Sequence, residues 1–125
     1  MSSRLITSEK AMTILKDIQA RSGLRPNILA RIAINLSINT DIELENKDYD
    51  KKGLEFHRHV LLGDYDQLFK ALISQKLNRN ITEEEFFPQY AQIYLEEGVN
   101  ILEREYNYAG NYRTFIKNIT LDKLE

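Results

Sequence analysis

Apolar residues first recur with a helical period in the N-terminal third of the chain. Ala11, Ile14, Leu15 and Ile18 fall at i, i+3, i+4 and i+7, while Lys10, Asp17, Gln19 and Arg21 lie mostly off that stripe. Ser8 supplies an N-cap oxygen before the stripe. Gly23 ends it, because glycine enters the left-handed C-cap conformation without a Cβ clash. Ahead of this helix, Arg4 to Thr7 reads as a short extended segment; behind it, Pro26 opens a second helix where a missing N–H costs nothing. That second helix, Pro26 to Ile38, is apolar on more than one side, with Ile28, Leu29, Ala30, Ile32, Ala33, Ile34, Leu36 and Ile38 interrupted by Arg31, Asn35 and Ser37. Such a helix needs burial nearly all round, which predicts a place in a subunit interface. The alternative is a central helix wrapped by its own chain.

The pattern then changes. Residues 39–53 form a polar, acidic connection, and Leu54 to Val60 alternates, predicting a short strand with Leu54, Phe56, Arg58 and Val60 on one side. Asp64, with Gln67 as capping-box partner, predicts the start of a third helix whose apolar face is Tyr65, Leu68, Phe69, Leu72, Ile73 and Leu77. Thr82 and Glu85 form a second capping box and open a helix carrying Phe86, Phe87, Tyr90, Ile93, Tyr94, Val99, Ile101 and Leu102. Pro88 should kink that helix or separate a short first turn from its main body. Gly98 in the interior suggests a close helix contact, since glycine otherwise only weakens a helix.

The fold expected is therefore mainly α. A ribbon-helix-helix-like unit at 1–38 is followed by an acidic connection and short strand at 39–63, a helical pair at 64–106 and an aromatic tail at 107–125, all in one oligomeric domain. In a ribbon-helix-helix arrangement two chains pair their strands, and that pairing would supply the burial the second helix needs. DNA-binding examples lay the ribbon in the major groove. Here Arg4 shares its strand face with Ile6, and Ser3 and Thr7 share theirs with Leu5, so neither face is a polar reader of bases. The expectation is an oligomer whose basic residues meet phosphates, with little sequence preference.

Charge agrees once it is mapped along the chain. The net charge is -2, yet residues 1–36 carry Arg4, Lys10, Lys16, Arg21, Arg25 and Arg31 against only Glu9 and Asp17. Residues 83–106 hold seven glutamates against Arg104, whereas Lys70, Lys76 and Arg79 leave 67–82 basic. The N-terminal third is the part that invites an anionic partner. Candidate DNA contacts are Lys10, Lys16, Arg21 and Arg25, followed by Arg4 and Arg31; Arg31, among apolar neighbours, has the alternative of pairing with an acid at an interface. The absence of cysteine excludes disulfides, thiolate metal sites, thiol nucleophiles and a persulfide carrier. Only Leu5 and Ile6 precede the first charged run and no later stretch approaches a membrane span, so a cytoplasmic protein is expected.

Other constellations point to no catalytic residue, cofactor or metal. His57 and His59 share a strand face without a third ligand, and the acids between Asp41 and Asp50 lack the glycine and terminal glutamate of a calcium loop. Glu83, Glu84 and Glu85 complement the positive end of a helix. Tyr106, Tyr108 and Tyr112 have the chemistry to stack on bases, but packing on a helix pair explains them as well. No nucleotide-binding glycine loop, nucleophile elbow or zinc motif is present.

Two blocks resemble a known family. Ser22-Gly23-Leu24-Arg25-Pro26-Asn27-Ile28-Leu29-Ala30-Arg31-Ile32-Ala33 is similar to the glycine-aliphatic-threonine-proline-asparagine turn and following helix typical of the DNA sulfur modification protein DndE family. Gly53-Leu54-Glu55-Phe56, with Leu61-Leu62-Gly63-Asp64-Tyr65-Asp66, resembles a second block of that family. Arg25 replaces the expected threonine N-cap, and Tyr94-Leu95-Glu96-Glu97-Gly98 stands where the family often has a histidine-containing helix segment. The resemblance implies a tetrameric helical protein that binds duplex DNA, notably at nicks. It would act beside a cysteine desulfurase, an ATP-using sulfurtransferase and an ATPase in DNA phosphorothioation, as a non-catalytic DNA-engaging subunit. The competing expectations are a metal-dependent DNA-nicking enzyme and an oligomeric adaptor for the sulfurtransferase or ATPase.

Overall fold

A computed structural model of the chain describes residues 3–110 together with residues 114, 116 and 117. Strand β1 (Arg4–Ile6) leads into α1 (Glu9–Ser22) and α2 (Pro26–Ile38). After the acidic connection come β2 (Glu55–His57), α3 (Arg58–Leu62), a 3-10 turn (Gly63–Tyr65), α4 (Asp66–Leu77), a broken helical segment (Glu85–Tyr90) and α5 (Ala91–Ala109). Tyr112 and most of the predicted aromatic tail lie outside the described residues, and α5 runs three residues past the predicted end of the helical pair.

The centre of the structure is the pairing of α2 with α5, flanked by α1, α3 and α4. Leu29, Ala30, Ala33 and Ile34 of α2 are fully buried, as are Tyr94, Leu95, Val99 and Leu102 of α5. The two backbones approach closely because small residues face each other: a Cβ on Gly98 would overlap the Ala33 carbonyl. Ser37 closes the same seam by donating its hydroxyl to the Tyr94 carbonyl at 2.6 Å. The close contact predicted from Gly98 is thus with α2. Most of the burial that α2 demands comes from its own chain, the arrangement that the sequence offered as the alternative to a subunit interface. Ile28, Ile32 and Leu36, one stripe at i, i+4 and i+8, remain half-buried.

The ribbon also forms within the chain. β1 pairs antiparallel with β2, Leu5 opposite Phe56, and both side chains are buried. Thr7 N–H donates to the Leu54 carbonyl at 2.8 Å and Arg58 N–H to Ser3 at 2.8 Å, extending the ladder at both ends. The interchain ribbon expected of a ribbon-helix-helix protein is therefore replaced by a long-range intrachain pair, because β2 presents the apolar partner that Leu5 needs.

The predicted strand from Leu54 to Val60 stops at His57, where the chain turns into α3 and buries Leu61 and Leu62. Arg58 fixes this switch. Its guanidinium binds both oxygens of Asp66 at 2.7 and 2.8 Å and Glu83 at 2.6 Å, over the rings of Phe86 and Phe87. With Asp66 so engaged, α4 starts there, and Asp64 sits in the preceding 3-10 turn without the predicted capping bond. Phe69 and Ile73 of α4 are buried as expected, whereas Tyr65 and Leu68 are about half exposed. The Thr82–Glu85 capping box forms reciprocally at 2.9 and 3.1 Å. Phe87 is extended (φ -130°, ψ 124°) ahead of Pro88, so a separate short turn meets the main helix α5.

The N-terminus of α1 is tied to α5 by Glu96, which is 5% exposed. One carboxylate oxygen accepts the Ser8 N–H at 2.7 Å, and the other accepts its hydroxyl at 2.6 Å, while the Ser8 oxygen caps Ala11 N–H at 3.1 Å. Burial pushes the Glu96 carboxyl above its ordinary range, outweighing the Ser8 bonds that favour the charged form, and Asp50 nearby adds to the rise. A carboxyl with a raised folded pKa contributes stability at low pH that is lost as pH rises through that value. Wild-type stability relative to Glu96→Gln should therefore increase as pH falls from neutral toward the ordinary carboxyl range, read from urea midpoints of the two proteins; a pH-independent difference would refute the buried-carboxylate assignment. Gly98→Ala should lower unfolding free energy by about 1–3 kcal/mol in the same assay, because the new methyl group must push α2 and α5 apart.

Candidate nucleic-acid interface

The six cations singled out in the sequence fall into three situations. Arg4 and Arg31 carry internal work. Arg4 reaches across the ribbon to Glu55 at 3.0 Å, with both side chains largely exposed. Arg31 donates to the Leu61 carbonyl at 2.6 Å and the Val60 carbonyl at 2.9 Å, beside Gly63 and the ring of Tyr65. It satisfies the free carbonyls near the C-terminus of α3, where a cation is favoured. Its partners within the chain are thus carbonyls.

Lys10 is exposed, but it borders a cleft whose other walls include Asp48, Asp50 and Glu96. Carboxylates already take two N–H groups of the α1 N-terminus at this cleft: Ser8 N–H goes to Glu96 and Glu9 N–H goes to Asp50 at 2.9 Å. The bonds from Glu9 and Lys52 N–H hold the Asp50 carboxyl below its usual range. Carboxylates occupy the positive end of this helix where a phosphate would otherwise be favoured.

The remaining three cations lie toward the other end of α1 and the turn into α2. Lys16 projects from the outward stripe of α1 with Glu9, Thr13 and Ala20, opposite the buried Ile14, Leu15 and Ile18. Arg21 bonds Asp17 at 2.7 Å across one helical turn, lies 4.9 Å from the Tyr106 ring centre and reaches Asn107 on α5 at 3.4 Å. Its side chain stays 47% exposed, so it is positioned and still open to solvent. Gly23, at φ +79°, turns the chain, and its N–H returns to the Gln19 carbonyl at 2.8 Å. Arg25 is the N-cap residue of α2 and makes no side-chain cap there, leaving its exposed guanidinium outside the turn. Among the described residues Lys16 and Arg25 form no ion pair. Along this corner the backbone turn, the half-fixed Arg21 and two unengaged cations make a positive edge that a phosphate backbone can meet.

Two features escaped the sequence reading. Glu96 is in the sequence only one of the seven glutamates between residues 83 and 106; the fold puts Ser8 against it. The acidic connection also looks fully solvated in sequence, yet Tyr49 donates its hydroxyl to Glu97 at 2.6 Å and Lys47 pairs with that carboxylate at 3.4 Å. Burial, then the Glu97 bond, pushes the Tyr49 hydroxyl well above its ordinary range. No group of three or more histidine or acidic residues among the described ones is arranged to hold a metal ion. No helix among them is long and apolar enough to cross a membrane.

Comparison with solved structures finds the same fold in DndE from Escherichia coli B7A, described as involved in DNA phosphorothioation modification. It is 21% identical, with a TM-score of 0.67 over 82% of this chain and 96% of that one. A glycine-to-lysine double mutant of DndE, likewise described as involved in DNA phosphorothioation, gives 19% identity and a TM-score of 0.63, covering 81% of this chain and 97% of that one. No curated protein sequence matches significantly. The family model of DNA sulphur modification protein DndE matches residues 4–110, a span that takes in β1, the α1–α2 corner and all of α5. The chain therefore belongs to the DndE family of DNA sulphur modification proteins.

Proposed function

We propose that this protein is the non-catalytic DNA-engaging subunit of a DNA phosphorothioation system, and that it holds duplex DNA, including nicked duplex, through phosphate contacts made by Lys16, Arg21 and Arg25. The observation that carries this reading is the exposed positive edge at the α1–α2 corner of an otherwise acidic chain. A chain without cysteine cannot itself carry sulfur as a persulfide, so the sulfur chemistry belongs to a sulfurtransferase acting beside it and to its ATPase. Contacts of this kind give affinity without reading base edges, which suits a subunit that presents DNA to other proteins.

An oligomer, taken here as a tetramer, is part of the proposal. Its support is the half-buried stripe Ile28, Ile32 and Leu36 together with Val60, Tyr65 and Leu68, which are 43–52% exposed. Apolar surface of this kind is covered when copies assemble.

Lys16→Ala with Arg25→Ala should weaken binding to a nicked duplex at low salt by about tenfold or more and flatten the salt dependence by about one to two in slope, while the sedimentation profile stays unchanged. Arg31→Ala should do the opposite, lowering thermal stability with little change in affinity for DNA. Equal affinity of the Lys16/Arg25 variant and the parent would overturn the assignment. Magnesium-dependent nicking of supercoiled DNA by the purified protein would overturn the non-catalytic part.

A further inference from the structure

Away from the α1–α2 corner, α4 presents a second surface with unusual chemistry for so acidic a chain. An open groove of about 690 Å³ runs along it, lined by Gln67, Lys70, Ser74, Gln75, Asn78 and Arg79 among others, with no carboxylate in its walls. The helical members fall at i, i+3, i+7 and i+8, so they share one face of the helix, and Asn78 follows as its left-handed C-cap. Gln75 also borders a neighbouring hollow of about 400 Å³ formed with Ile38, Asn39, Leu72 and Lys76, again free of carboxylates. By contrast, the clefts along the acidic connection carry Asp48, and the one beside α1 adds Asp50 and Glu96.

Every polar side chain named in this groove can donate a hydrogen bond. The two cations are held at its rim: Lys70 by Glu83 at 2.7 Å, and Arg79 by Glu85 at 2.8 Å and the Tyr90 hydroxyl at 3.0 Å. These bonds fix the two head groups in place and leave further N–H donors, since an ammonium has three and a guanidinium five. Amide, hydroxyl and cationic donors without acids are the groups that contact phosphate oxygens in nucleic-acid complexes. The stripe from Gln67 to Asn78 is about 16 Å long at 1.5 Å per residue, close to the axial rise of four to five nucleotides of one strand at about 3.4 Å each.

We infer that the α4 groove is a second nucleic-acid contact, taking the phosphodiester backbone of a duplex separately from the α1–α2 corner. It rests on the reading of this chain as a DNA-engaging subunit and adds to it a further surface on a different element. One copy then grips DNA at two places, and residues remote in sequence from the basic N-terminal third share the load.

Because the chain has no cysteine, Ala71→Cys places a single photoreactive label in the groove, on an exposed residue of α4. Irradiation with a labelled duplex should yield a protein–DNA adduct at this site, as at Arg25→Cys, whereas the same label at Asp48→Cys, in the clefts of the acidic connection, should yield little. In parallel, Ala71→Glu with Gln75→Glu should weaken binding by about tenfold at low salt, and Ala71→Lys with Gln75→Lys should strengthen it comparably; thermal unfolding confirms that each pair is folded. No adduct from residue 71 and unchanged affinity in both pairs, with the Lys16/Arg25 variant still impaired, would overturn the groove and keep the functional reading; α4 would then be free to meet a protein partner. Failure of the unsubstituted protein to bind duplex at low salt would overturn both.

Discussion

The close approach of α2 and α5 at Ala33 and Gly98 is the constraint on which the other elements depend. Two helices can come this near only where both lack bulk, and the buried Ala30, Ala33 and Ser37 meet the face of α5 that carries Gly98. The seam brings Glu96, on the same helix, under the start of α1, where it takes both polar groups of Ser8. That bond sets where α1 begins and hence which cations its far end presents. Arg21 is steadied from the same helix through Tyr106 and Asn107. The candidate interface is thus positioned by α5 at both ends of α1, although none of its proposed DNA contacts lies on α5.

Electrostatics divides the molecule in the same way. Carboxylates neutralise the N-terminus of α1, so its macrodipole is spent on internal bonds. Arg58 draws Asp66 and Glu83 into one network with Lys70, joining α3, α4 and the segment before α5. Replacing the arginine in such a partly buried cluster leaves acids facing each other, which costs more than the loss of an exposed pair. Lys16 and Arg25 stay outside these networks, and with the half-exposed Arg21 they are what the α1–α2 corner offers a polyanion.

Much of this was legible from local chemistry. The Ser8 cap, the Gly23 stop, the Pro26 start, the Thr82–Glu85 box and the break at Pro88 are all short-range signals, and each forms as its residues dictate. Gly98 signalled a close contact without naming its partner. What was not legible depended on long-range pairing. β1 looked like half of an interchain ribbon because nothing in its own residues indicates that Phe56, far along the chain, completes it. The alternation from Leu54 to Val60 continued past the true strand end because Arg58 fits a strand face as well as a helix start until Asp66 and Glu83 are brought to it. For the site, the sequence picked out the basic third but could not sort its cations; burial and partners separate Arg31 and Lys10 from Lys16, Arg21 and Arg25.

The central claim is that this family member engages DNA through phosphates at a positive edge and leaves the bases unread. It is tested most directly by measuring affinity for two nicked duplexes of unrelated sequence across a salt series. The account predicts nearly equal dissociation constants for the two and a straight, steep fall of log affinity with log salt, about 0.9 in slope for each phosphate neutralised. Strong preference for one sequence, or affinity that does not respond to salt, would contradict it.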